Sequence, residues 1–208
     1  MPLATLFGIL ANRGAGWGTS DEELEQLLID ESSSHPADLP RSEEGRSKGN
    51  FLIETTLPDH RITLTDRGVA VVRSLGDRDR QPSIWVYESV RPTGPGRMLV
   101  VADGEGVQHR LGMVTLISRI HNHDATIEGL RRAEIGNWVW CVTLEDGTRI
   151  LLTHRLHMWQ VDRRTVKKTT HAWSHVVRCR VGENFAYVSA GGEEVVLGIV
   201  DKLLLVES

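Results

Sequence analysis

The densest chemistry in the sequence lies between residues 155 and 180. Seven cationic side chains there (Arg155, Arg163, Arg164, Lys167, Lys168, Arg178 and Arg180) stand against a single acid, Asp162, in a chain whose net charge is −4. A local excess of positive charge of this size would draw an anionic partner. Trp159 and Trp173 lie in the same tract, with His171 beside them. Bases stack on aromatic rings while Lys and Arg follow phosphates, so the ten residues Arg155, Trp159, Arg163, Arg164, Lys167, Lys168, His171, Trp173, Arg178 and Arg180 read as a surface for DNA or RNA. Residues 1–80 are different, with nine basic against fourteen acidic side chains, whereas residues 81–208 carry fifteen against fourteen. That acidic first part would repel a nucleic acid and is the surface expected to meet a protein partner.

Histidine is concentrated in the same half of the chain, with seven of the nine between 109 and 175. In H-A-W-S-H-V-V-R-C the residues His171, His175 and Cys179 share one face whether the segment is a strand or a helix. With His157 they offer imidazole and thiolate donors of the kind zinc takes, which would suit a metal-dependent nuclease or hydrolase. Their spacing fits no standard finger or ribbon, and no Cys-x-x-Cys pair is present, so no cofactor is expected. The H-N-H-D run at 121–124 carries little weight, because a nuclease of the His-Asn-His type spreads those residues over a strand pair and a helix. The sequence also lacks a phosphate-binding loop, a dinucleotide fingerprint and a nucleophile elbow, which leans the reading away from an enzyme.

These residues must be positioned by elements that the sequence also specifies. Leu3, Leu6, Phe7 and Leu10 have helical spacing, and N-R-G-A-G-W-G then stops the helix. S-D-E-E at Ser20 is a capping box that opens a second helix, striped by Leu24, Leu27 and Leu28. Residues 32–50 are rich in Ser, Pro, Glu and Arg and read as a loop or a weak helix. A hairpin follows, with strands near 51–57 and 60–65, and Thr65 is placed to cap a third helix reaching about Leu75. After a linker at 76–81, short apolar-polar runs alternate with Gly-rich turns to the end, broken by one helix expected near 125–135 with Asp124 as its cap. The pattern predicts an α+β fold: a small N-terminal helix-hairpin domain over 1–78, then a strand-rich barrel or sandwich domain over 82–208.

One phrase occurs twice. T-L-P-D-H-R-I-T-L-T-D-R at 56–67 and T-L-E-D-G-T-R-I-L-L-T-H-R at 143–155 match at eight of twelve positions once a residue is inserted at the turn, and each is written as a hairpin. The first copy and its neighbours resemble the wing and final helix of bacterial winged-helix regulators, with Leu64, Thr65 and Gly68 in the places of an L-T-x-x-G motif. That resemblance covers about 75 residues and implies a winged-helix domain in a transcription regulator, although S-H-P-A-D-L-P-R-S-E-E-G makes a poor recognition helix. The second copy, from Trp138 to His157, is similar to the middle block of Hint domains. Thr153 and His157 are one residue too far apart for that family's pattern, and no Cys or Ser nucleophile stands at a domain start, so the likeness implies fold and no self-splicing.

The leading expectation is therefore a nucleic-acid-binding regulator or accessory factor. A protein-protein assembly role is the alternative, and a metal-dependent nuclease or hydrolase the third reading. Two cysteines, Cys141 and Cys179, fit a reducing compartment and a cytoplasmic location. No apolar run approaches the roughly 18–20 residues of a membrane span, and a dimer or other homo-oligomer is compatible with the sequence.

Overall fold

The computed structural model describes residues 3–77, 79–121, 126–162 and 165–208. Among them, two helices, α1 (Leu3–Asn12) and α2 (Asp21–Ser34), precede thirteen strands in two sheets. The capping box forms as its spelling requires: Ser20 Oγ accepts from the Glu23 amide, and Glu23 Oε2 accepts from the Ser20 amide at 2.9 Å.

The first sheet is a closed six-stranded barrel of β1 (Phe51–Thr56), β2 (His60–Leu64), β3 (Val69–Ser74), β4 (Ser83–Val90), β5 (Met98–Asp103) and β6 (Gln108–Arg119). Alternation sets its interior, because successive side chains of a strand point to opposite faces. Phe51 and Ile53 of β1, Ile62 and Leu64 of β2, Tyr87 of β4 and Leu99 and Val101 of β5 are all buried in one cluster. Gly112 (φ +104°) lets β6 turn inside the barrel wall, where a Cβ would come within 2.9 Å of the Thr56 and Pro58 carbonyl oxygens.

The second sheet has the order β10-β9-β8-β7-β13-β12-β11, built from β7 (Val139–Leu144), β8 (Arg149–Leu152), β9 (Leu156–Asp162), β10 (Thr165–His171), β11 (Trp173–Arg178), β12 (Asn184–Ser189) and β13 (Glu194–Glu207). It curls into a half-barrel around Trp140, Trp173, Phe185 and Tyr187, and Ile127 and Ile135 of the preceding segment pack into the same cluster. Its outer face meets the barrel through Val71 on one side and Cys141 and Val206 on the other. Thr63 Oγ1 donates to the Val206 carbonyl at 2.7 Å across this interface. Glu207 accepts from Arg61 at 2.7 Å and from Arg73 at 3.0 Å, and burial pulls the Arg73 guanidinium below its ordinary pKa against the opposing pull of Glu207.

The helix-hairpin, winged-helix-like domain is not present, and the α+β description gives way to a mostly β fold. The expected third helix is β3. Thr65 caps as its chemistry allows, but it caps a tight turn: its Oγ1 and carbonyl accept from the Val69 and Gly68 amides, and Gly68 (φ +76°) reverses the chain. Val69, Val71 and Val72 are β-branched and stiff at χ1, which favours the strand that follows. The helix expected near 125–135 is reduced to one short 3-10 turn, Arg132–Glu134, and its expected cap Asp124 lies outside the described residues. The segment before the hairpin holds an Arg41–Ser47 bridge where a recognition helix would stand. Both copies of the repeated phrase form hairpins, β1–β2 and β7–β8.

Candidate functional site

The basic tract becomes two strands and an edge. Trp159 and Lys168 are opposite each other on β9 and β10, but Trp159 is 2 % exposed and its indole N–H donates to the Asp79 carbonyl at 2.7 Å. Lys168 lies 5.3 Å from the Trp159 ring centre and forms an ion pair with Asp79 at 2.9 Å. Trp173 is fully buried inside the half-barrel, its N–H held by the Thr153 carbonyl. Neither ring is available for a base to stack on. Arg180 pairs with Glu128 at 2.7 Å and His171 bonds to Thr169, whereas Arg155, Lys167 and Arg178 are exposed. Arg163 and Arg164 lie outside the described residues.

The four metal candidates are not gathered. His157 faces Thr170 across β9–β10 while His171 faces Leu156, so the two imidazoles leave opposite sides of the sheet. Cys179 is buried, and burial pushes its thiol up to about 12. His175 sits beside Arg131 through a backbone bridge. Among the described residues no group of three His, Cys, Asp or Glu could hold a metal ion, and no helix is long and apolar enough to cross a membrane.

A different constellation occupies the mouth of the closed barrel. The interior faces of four strands end there in polar or aromatic side chains: His60 begins β2, Ser74 ends β3, Ser83 and Trp85 begin β4, and His109 lies near the start of β6. The loop between β3 and β4 adds Arg80 and Gln81, and Val72 and Leu111 form the floor above the apolar core. Together they line a cavity of about 220 Å³. This is smaller than the roughly 300–1,000 Å³ of drug-sized sites, so any occupant would be compact.

The polar groups of the cavity divide into those with partners and those without. Asp103 Oδ1 accepts from the Glu105 and Val107 amides of the β5–β6 turn, while Oδ2 meets His109 Nε2 at 2.9 Å. The His109 bond, followed by those amides, holds the Asp103 carboxyl below its usual range. The oriented His109 ring lies 4.5 Å from the Trp85 ring, centre to centre, tilted by 36°. His60 and Gln81 are different, because His60 Nδ1 and Gln81 Nε2 are buried with no hydrogen-bond partner. Burial pulls the His60 pKa down; a hydrogen bond from the ring to the Leu111 backbone opposes this, Arg80 adds to it and Asp59 opposes it, so the neutral imidazole is favoured near pH 7.

The loop carrying Arg80 and Gln81 is tied to the second sheet on both sides. Asp79 is held by Trp159 and Lys168, and the Pro82 carbonyl accepts from Arg149. One ring and one cation that the sequence offers for a ligand, Trp159 and Lys168, thus position another site. Sequence reasoning missed this site because its residues are spread from 60 to 111; the one local signal was Asp103 and His109 flanking the D-G-E-G-V-Q turn of a single hairpin. The chain matches no protein-family model, no curated protein and no solved structure, and its function is read from this geometry alone.

Proposed function

We propose that the protein binds a small molecule in the mouth of its closed barrel. The observation that carries this reading is the pair of buried nitrogens, His60 Nδ1 and Gln81 Nε2, left without partners on residues lining one cavity. Leaving a buried polar group unsatisfied costs on the order of 1–3 kcal/mol, and a bound molecule that satisfied both would recover it. Barrel mouths are also frequent places for such sites. The experiment is an NMR screen of small fragments of every charge type, read at the imidazoles of His60 and His109 and the indole of Trp85. Shifts should concentrate at these three rings and vanish in Ser74→Phe, which fills the cavity from β3. Fragments that leave all three rings unmoved, or that bind equally to the filled variant, would count against the site.

A second reading, contact with nucleic acid, is supported by a separate observation. An open groove of about 400 Å³ on the half-barrel is lined by Arg131, Arg132, Ser174 and His175, and neither arginine pairs with an acid among the described residues. Exposed Arg178 follows on the same strand. This reading relies on charge alone. Binding of DNA or RNA should then weaken steeply with salt, and Arg131→Ala and Arg132→Ala should each lower the slope by about one. A slope unchanged in both variants would remove the groove from consideration.

A further inference from the structure

We propose that the ligand of the barrel mouth is a small flat monoanion, an aromatic or heteroaromatic carboxylic acid, with its carboxylate received by Arg80 and Gln81 and its ring against Trp85. The inference rests on the reading of the mouth as a binding site and specifies the ligand class. Charge gives the sign. Arg80 is the one lining residue with a fixed charge, and it forms no ion pair among the described residues. No carboxylate lines the cavity: Asp103 stands behind His109, with both oxygens already accepting hydrogen bonds. His60, whose pKa burial pulls down, adds no fixed charge, so Arg80 sets the sign of the site.

Hydrogen-bonding capacity gives the functional group. The guanidinium of Arg80 presents a planar fork that matches a carboxylate, and the Gln81 amide nitrogen brings further unused N–H groups to the same lining. Ser74 Oγ accepts from the Asp77 amide at 3.1 Å, so its hydroxyl hydrogen remains to be donated. The unused N–H groups of Arg80 and Gln81 and the Ser74 hydroxyl hydrogen are matched by an acceptor such as a carboxylate.

Shape gives the rest. Val72 and Leu111 supply an apolar floor, and Trp85 with His109 supplies an aromatic wall. A cavity of about 220 Å³ corresponds to the liquid volume of about seven waters, which admits one ring and its acid group and little more. The receiving groups are also held in place before the ligand arrives. Asp79 and Pro82, on either side of Arg80 and Gln81, are fixed by Trp159, Lys168 and Arg149, which lowers the ordering cost of binding.

The test uses three compounds with one ring and three charges: benzoate, benzamide and benzamidinium. Titration calorimetry on the full chain should give benzoate at least tenfold tighter than benzamide and no measurable binding of benzamidinium. Arg80→Gln, a change at an exposed rim position, should fold with an unchanged melting temperature and bind benzoate no better than benzamide. Equal affinity for benzoate and benzamide, or tightest binding of benzamidinium, would overturn the acid assignment while leaving the mouth as a site. A benzoate preference that survives in Arg80→Gln would overturn the role of Arg80. Failure of all three to bind or to move the Trp85 and His60 signals would overturn both this inference and the reading it rests on.

Discussion

His60 is the side chain on which pH should act most directly. Its folded pKa lies below the ordinary histidine value because of burial, so the unfolded chain takes up a proton more readily than the folded one. The stability it contributes is full above about pH 6.5 and is lost as pH falls through the unfolded value toward the folded one. His157 is shifted the same way, by burial first and then by Lys168 and Arg155, and adds to the same trend. Scanning calorimetry should therefore show a melting temperature that drops between pH 7 and pH 5, with a shallower drop in His60→Asn. A flat profile would mean that both imidazoles charge freely in the fold. The thiols offer a second prediction at this scale. Burial pushes both Cys141 and Cys179 up to about 12, so a disulfide reagent at pH 8 should label neither thiol in the folded protein and both in concentrated urea.

Among the elements, β6 depends most on one residue. Gly112→Ala would place a methyl against two carbonyl oxygens at a φ that L residues rarely adopt, and should cost about 2–3 kcal/mol by urea denaturation. Local instructions of this kind explain what could be read from the sequence. The Ser20 capping box, the two hairpins and most strands after residue 82 are written within a few residues and appear where expected, whereas β9 and β10 in the basic tract are not announced as strands. The segment after Thr65 was misread because a hydroxyl followed by a glycine and an apolar run spells either a helix start or a tight turn, and three valines decided it. The fate of the basic tract was hidden for another reason. Trp159 and Lys168 are claimed by Asp79, 80 and 89 positions away, and nothing near either residue announces that contact. The barrel-mouth site was hidden likewise: strand alternation turns His60, Ser74, Trp85 and His109 inward, but only closure of the barrel brings them together.

At the scale of the whole molecule, the barrel and the half-barrel share one interface and should unfold together. Val71, Cys141 and Val206 form its apolar part, and Glu207 holds two arginines beside it. Glu207→Gln would leave Arg73, already disfavoured by burial, without its counter-charge, at a cost of about 2–3 kcal/mol. Tryptophan fluorescence and far-ultraviolet circular dichroism should still trace one coincident transition in the wild type; two separated transitions would show that the sheets are independent. The connection between β10 and β11 has a mechanical meaning as well. These strands are the two edges of the seven-stranded sheet, yet Ala172 alone separates them, so at that end the edges lie within about 7 Å of each other. A rolled sheet stapled at one corner can loosen only by parting along the rest of its seam, as a book opens from its spine. Amide exchange along β10 and β11 should accordingly slow toward Ala172, giving this half of the molecule a fixed direction in which it breathes.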